Sequence, residues 1–146
     1  MGYFEIGIFH GKTEYNIGTL WRSAYQLGAA GIFTIGRRYK HQSGDTTKAW
    51  RHIPLRHYLT FEDFKANLPY EAQIVGIEME GRELAGFTHP KIAVYLLGAE
   101  DHGLPPEVLS MCHHVVSLES IGQLSYNVSV AGSLVMYHRV FWTKEH

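Results

Sequence analysis

The chain has 146 residues, one cysteine and a formal net charge of −1, which fits a single globular domain over 1–146 with room for a buried core. Cys112, standing alone, excludes an intrachain disulfide, and a reducing, cytoplasmic setting is the simplest expectation. The opening residues MGYFEIGIFHGKTEY lack the basic flank, apolar run and cleavage site of a secretory signal. No apolar run approaches the ~20 residues of a membrane helix, so no membrane partner is expected.

In chain order, Tyr3–Phe9 reads as a strand. Ile17, Leu20, Trp21, Ala24 and Leu27 then repeat at helical spacing, Asn16 fits the N-cap, and Gly28 ends the helix. A second strand, Gly31–Ile35, leads into a basic stretch. Between Arg37 and His57 lie Arg37, Arg38, Lys40, Lys48, Arg51 and Arg56, six of the 13 lysines and arginines, with Asp45 the single acid. Tyr39, Trp50 and Tyr58 are interleaved, a combination suited to phosphate contact and base stacking. It is equally the pattern of a solvated loop whose charges pair elsewhere.

Thr60 can cap a short helix through Phe61–Leu68, with Glu62 and Asp63 in its first turn. Strands are expected at Ala72–Ile77, Lys91–Leu97 and His114–Leu118, and Pro105 and Pro106 can open a helix at Glu107–Met111. Near-continuous apolar runs such as KIAVYLL indicate strands buried on both faces. The alternation predicts an α/β domain, its sheet mostly parallel with helices on both faces. A last helix, from about Asn127 to Trp142, is apolar nearly all round and must be covered on more than one side. The second cover is expected to be another copy of the chain, with Ser129, Ala131, Gly132 and Ser133 allowing close approach. The alternative is a central helix packed within one chain.

Three segments can carry chemistry. In Asn16-Ile-Gly-Thr-Leu-Trp-Arg22, Gly18 lies one turn from Arg22 and leaves room beside a guanidinium that suits phosphate; the same residues also read as an ordinary capped helix. Leu96-Leu-Gly98-Ala-Glu100-Asp-His-Gly103-Leu-Pro-Pro106 follows an apolar strand, where glycines permit a sharp turn and close approach to a ligand. Leu104 stands where a phosphate-binding P-loop needs lysine, and no G-x-G-x-x-G occurs. Leu118-Glu-Ser-Ile-Gly-Gln-Leu-Ser125-Tyr-Asn127-Val-Ser-Val-Ala-Gly132 brings free N–H groups, Ser125 and Asn127 to a helix N-terminus, where Ser125 or Asn127 can also serve simply as the cap.

In this order the trio NIGTLWR, LLGAEDHGLP and SYNVSVAGS resembles the SpoU (TrmH-like) branch of the SPOUT superfamily, over roughly Tyr3 to Trp142. The resemblance implies a C-terminal trefoil knot, a feature no periodicity reveals because knots are so rare. It further implies bound S-adenosyl-L-methionine, RNA as substrate, a homodimer, and methyl transfer to a ribose 2′-hydroxyl, of tRNA more than of rRNA. By motif position, Ile77, Gly98, Leu118, Ser125 and Tyr126 would line the cofactor pocket. Arg22 would be catalytic, with Asn16, Glu100, Ser125 and Asn127 orienting it, the substrate and the loops. RNA would meet Arg22, Arg37, Arg38, Lys40, Lys48 and Arg51. No metal is required. Guanidinium groups titrate above ~12, so an arginine need not itself be the base. Leu118-Glu119-Ser120 departs from the family's usual Ile-Pro-Met, and Tyr126 from its Leu or Met.

Other chemistries fit less well. Ser125, His102 and Asp101 are available for a hydrolase, but Ser125 lacks the G-x-S-x-G context. Cys112, His113 and His114 are adjacent, and adjacent ligands rarely converge on one ion. A non-catalytic RNA-binding or cofactor-sensing protein would keep the pocket without depending on Arg22.

Overall fold

A computed structural model of the chain describes residues 2–10, 14–36, 52–99, 103–122 and 124–142. Six strands form one sheet: β1 (Tyr3–Phe9), β2 (Gly31–Ile35), β3 (Leu55–Tyr58), β4 (Gln73–Glu83), β5 (Ile92–Gly98) and β6 (His114–Ser117). Their order across the sheet is β3-β2-β1-β5-β4-β6, and all five pairings are parallel. Helices α1 (Glu14–Leu27), α2 (Phe61–Ala66), α3 (Pro106–Leu109) and α4 (Val128–Tyr137) connect and cover it.

The apolar runs are explained by burial on both sides. Phe4, Ile6 and Ile8 of β1 and Ala93, Tyr95 and Leu97 of β5 join a core with α1 and α4. The intervening Val94 and Leu96 join a second core with Phe33, Phe61, Phe64 and Val108, under α2 and α3. Both faces are therefore covered, as a parallel sheet requires. Each such fully buried side chain stabilises the fold by about 1.5–3 kcal/mol.

Several local expectations need correction. Helix α1 begins at Glu14, so Asn16 is inside it rather than at its N-cap; the residue is buried because its side chain is used elsewhere. Strand β3 lies in the basic stretch, where no strand is apparent from the pattern. Strand β4 runs on past Ile77 to Glu83, pairing with β6 at Val75–Ile77 and again at Arg82–Glu83, with an irregularity between. The last helix continues as a π-helical turn, His138–Trp142.

The small residues of α4 also face the other way from that expected. Ser129, Ala131 and Gly132 are buried within the chain, and a Cβ on Gly132 would come within 2.6 Å of Leu20 and 3.0 Å of Leu97. The helix thus approaches α1 and β5 through its small side. Its large residues Val130, Leu134, Tyr137 and Phe141 remain exposed, at 45, 41, 54 and 57%. They recur at i, i+4, i+7 and i+11, one continuous helical face.

Beneath the π-turn lies a buried polar network. Arg139 donates to the Tyr95 hydroxyl (3.0 Å), to Pro90 O (2.7 Å) and to Lys91 O (3.0 Å). The Lys91 carbonyl also accepts from the backbone N–H of Tyr3, at 2.9 Å. Nδ1 of His89 lies 2.6 Å from the Tyr95 hydroxyl, and its Nε2 lies 2.8 Å from Nδ1 of His138. Because Arg139 donates to Tyr95, the hydroxyl proton is free to point to His89, and the N–H of His89 to His138. Both imidazoles are then neutral, and the remaining proton of His138 sits on its buried Nε2.

Burial, followed by the charges of His138 and Arg139, lowers the pKa of His89 to about 3. Burial lowers that of His138 as well, against the opposing pull of Glu119 and the Ala85 carbonyl.

Candidate active site

At the carboxyl ends of β4, β5 and β6 the chain encloses a cavity of about 560 Å³, within the size range of cofactor sites. Its walls come from three separated stretches: Ile77, Glu78 and Met79 within β4, Leu97, Gly98, Ala99 and Gly103 at the end of β5 and beyond it, and residues from Leu118, after β6, to Ala131 of α4. Ile77, Gly98, Leu118, Ser125 and Tyr126, named from motif position, all line it.

The glycines of the second motif have steric reasons. Gly98 lies so close to Gly103 that a Cβ on it would sit 2.3 Å from the Gly103 carbonyl carbon. Gly103 itself has φ +64°, in the left-handed region where side chains are strained. The N–H of Gly103 also donates to Ala99 O at 2.9 Å.

Glu78 pins this loop from β4, and motif reading missed it. Its Oε2 accepts from the backbone N–H of Leu104 at 2.8 Å, and its Oε1 from that of Met79 at 2.9 Å. A Cβ on Gly103 would lie 2.3 Å from Oε2. Among the described residues lining the cavity, Glu78 is the one that carries a charge. In sequence it sits in Glu-Met-Glu-Gly-Arg-Glu, which reads as a solvated charge run; its place directly after the apolar run ending at Ile77 was the available signal.

The third motif is held at two points. The Tyr126 hydroxyl donates to Glu119 O at 2.7 Å, and the Glu119 carboxylate accepts from the Ala85 N–H at 2.9 Å. Asn127 is the N-cap of α4, its Oδ1 accepting from the N–H groups of Ser129 (2.9 Å) and Val130 (3.2 Å) and from the Ser129 hydroxyl (2.7 Å). Ser125 stands two residues earlier, exposed at the cavity wall.

Asn16 joins the first motif to the third: its Oδ1 accepts from the Asn127 amide at 3.1 Å. Arg22 lies on the exposed side of α1 and does not line the cavity of its own chain. Glu100, Arg37, Arg38, Lys40, Lys48 and Arg51 lie outside the described residues, as do Asp101 and His102.

Cys112, His113 and His114 point to separate partners. The thiol of Cys112 donates to Val108 O at 3.5 Å, and burial pushes it up to about 11. His113 Nδ1 accepts from the Ile74 N–H at 2.9 Å, while His114 Nε2 meets Gln73 Oε1 at 2.7 Å. Among the described residues no three His, Cys, Asp or Glu side chains group as metal ligands, and no helix is long and apolar enough to cross a membrane.

Comparison with known proteins places this geometry. The model of the SpoU rRNA Methylase family matches residues 4–137. A protein of Archaeoglobus fulgidus described as an uncharacterized tRNA/rRNA methyltransferase is 28% identical over 142 residues, covering 93% of this chain; the chain spans 63% of that relative's length. Among solved structures, one from work on 2-OH methylation of C/U34 on tRNA superposes with a TM-score of 0.81 at 23% identity, covering 94% of both chains. The AdoMet-bound rRNA methyltransferase of Sinorhizobium meliloti gives 0.85 at 22% identity, covering 94% of this chain and 56% of that one. The AdoMet complex of the SpoU methyltransferase AviRb from Streptomyces viridochromogenes gives 0.81 at 22%, covering 94% of this chain and 57% of that one.

Proposed function

The chain belongs to the SpoU rRNA Methylase family, and on that footing we propose that it transfers a methyl group from S-adenosyl-L-methionine to a ribose 2′-hydroxyl of RNA, in the cytoplasm. The observation that carries the reading is the cavity itself, where the second and third motifs meet residues of β4 near the carboxyl ends of parallel strands, with the first motif tied to the third through Asn16 and Asn127. Such strand ends are where open α/β sheets bind their ligands. The close approach of Gly98 to Gly103, which a single Cβ would obstruct, suits a cofactor held largely by backbone groups.

Bound S-adenosylmethionine supplies an electrophilic methyl: the ribose oxygen forms a C–O bond, the C–S bond breaks with its pair passing to sulfur, and the hydroxyl proton leaves to a base or solvent. The residues of the chain act around that exchange. Ile77, Gly98, Leu118, Ser125 and Tyr126 form the walls that hold the cofactor and exclude water. Asn16 and Asn127 fix the first and third motifs to each other, so that α1, which carries Arg22, keeps a set position against the cofactor loop. Placing the attacking oxygen in line with the methyl provides much of the acceleration. Arg22 contributes positive charge to the 2′-oxygen or its neighbouring phosphate, and Glu100 orients the loop it belongs to.

Two features support a homodimer. The exposed stripe of Val130, Leu134, Tyr137 and Phe141 presents a continuous apolar face, of the kind that marks an interface. Arg22 lies away from the cavity of its own chain, as in a site completed at a subunit boundary. The trefoil knot belongs to the same reading: Ser117 Oγ donates to Gly81 O at 3.0 Å and Glu119 accepts from Ala85, so the chain after β6 runs against the 81–85 stretch before entering α4.

RNA is held by this domain's own basic segment through Arg37, Arg38, Lys40, Lys48 and Arg51 with Arg22, and tRNA is the favoured substrate, as with the structural relative concerned with C/U34. The test is transfer of labelled methyl to total tRNA and to rRNA, followed by nucleoside mapping. The label is expected on a ribose 2′-oxygen of tRNA, and at least 100-fold less of it with Arg22→Ala, the scale of losing one transition-state contact. Label on a base would overturn the ribose assignment, and undiminished activity of Arg22→Ala would favour a cofactor-binding protein that does not use this arginine.

A further inference from the structure

We propose that Glu78 reads the charge of the cofactor, favouring the sulfonium substrate over the thioether product. The proposal rests on the S-adenosylmethionine assignment and narrows one part of it to a single side chain.

Three observations carry it. Glu78 is the one charged residue among the described residues of the cavity wall, and it is flanked there by Ile77, Met79 and Leu97. Its half-buried place in the wall makes its interaction with a charge in the cavity stronger than one in bulk water. Its position is fixed, because each carboxylate oxygen takes one backbone N–H, from Met79 and Leu104, and the Gly103 backbone packs against it. Those two bonds use half of the roughly four acceptor positions of a carboxylate, leaving the rest for a ligand. The acid of the third motif, Glu119, is engaged by Ala85 and does not line the cavity.

The chemistry of the ligand pair explains why this matters. S-adenosylmethionine and S-adenosylhomocysteine differ by one methyl, which shape alone separates weakly. They also differ by one positive charge: methyl departure leaves its bonding pair on sulfur, which becomes neutral. A fixed carboxylate in the wall distinguishes the two on charge, holding the reactant and loosening once transfer is complete.

The experiment is calorimetric titration of the folded protein with three probes: S-adenosylmethionine, sinefungin (whose amine retains positive charge near the sulfur position) and S-adenosylhomocysteine. Glu78→Gln keeps an oxygen for the Leu104 N–H but removes the charge. It should weaken both cationic probes about tenfold, the scale of a charge-assisted contact, and leave S-adenosylhomocysteine within roughly twofold. Glu78→Asp, which keeps the charge on a shorter arm, should preserve the wild-type ratio of cationic to neutral affinity even where all three weaken. Equal loss of all three probes in Glu78→Gln would reduce Glu78 to a loop anchor, and loss of the ratio in Glu78→Asp would overturn charge reading. So would a ratio that changes only in Glu100→Gln. Failure of the wild-type protein to bind any of the probes would instead remove the cofactor assignment.

Discussion

The side-chain amide of Asn127 donates to the side-chain oxygen of Asn16 at 3.1 Å, across 111 positions of sequence. The oxygen of the same Asn127 caps α4 through Ser129 and Val130. One side chain therefore starts the last helix and ties its beginning to α1, the helix that bears Arg22. Local capping and long-range positioning are coupled at this residue.

The two tasks of Asn127 separate by substitution. Asn127→Ala removes both and should lower stability by about 1–2 kcal/mol, the usual cost of a lost cap. Asn127→Ser retains a capping oxygen but no amide donor for Asn16. Urea denaturation should show most of the stability restored in the serine variant, with methyl transfer still impaired. Full recovery of activity in Asn127→Ser would dismiss the link to Asn16 as inconsequential.

Gly98→Ala forces a methyl to within 2.3 Å of the Gly103 backbone, a contact that no side-chain rotation relieves. The loop must shift, and calorimetry should record at least a tenfold loss of S-adenosylhomocysteine affinity, together with overpacking costs of about 1–3 kcal/mol. Gly86→Ala is the control, since its Cβ meets nothing within 4 Å and the residue does not line the cavity. Comparable loss in both variants would disconnect the effect from the Gly98–Gly103 approach.

Leu134→Asp places a charge in the middle of the exposed stripe of α4. Sedimentation at micromolar concentration should find a dimer for the unchanged protein and a monomer for the variant, with the circular dichroism spectrum preserved because Leu134 is 41% exposed in the single chain. A monomer in both cases would leave the stripe without its proposed partner.

Acid should weaken the fold through His89 and His138. Both have lowered pKa values, His89 to about 3, against an unfolded value near 6.5. Below that unfolded value the denatured chain binds protons that the native pair refuses, so stability is full above about pH 6.5 and is lost as pH falls toward 3. The urea midpoint should decline through this window, and less steeply in His89→Phe. An identical slope in the variant would assign the acid sensitivity to other groups.

Much of this architecture is legible in the residues themselves. β1, β2 and β5 announce themselves as apolar runs because both faces are buried, and Gly28 and Thr60 mark a helix end and a helix start. The walls of the cavity are equally readable where glycine or the Ser125–Asn127 turn is required. Other parts are hidden for physical reasons. β3, Leu-Arg-His-Tyr, is an edge strand with one neighbour and a half-wet environment, so it lacks the apolar signature of its companions. Glu78 belongs to a run of acids and gains its position from the extension of β4 one step beyond its last pair with β5, Ile77↔Leu97. Asn16 has the chemistry of a cap, yet its partner lies 111 residues away, and no local pattern encodes that distance. The outward turn of the α4 stripe likewise depends on Leu20 and Leu97 already occupying the space on its small side.

The Lys91 carbonyl, which receives both the N–H of Tyr3 and the guanidinium of Arg139, imposes an order on biosynthesis. Tyr3 leaves the ribosome early and Arg139 late, and at ordinary elongation speeds the interval between them is on the order of ten seconds. For the first part of that interval β1 has at most β2 beside it in the sheet, and its far edge waits for β5. The seam between β1 and β5 is therefore secured only when the turn after α4 delivers its guanidinium to Pro90, Lys91 and Tyr95.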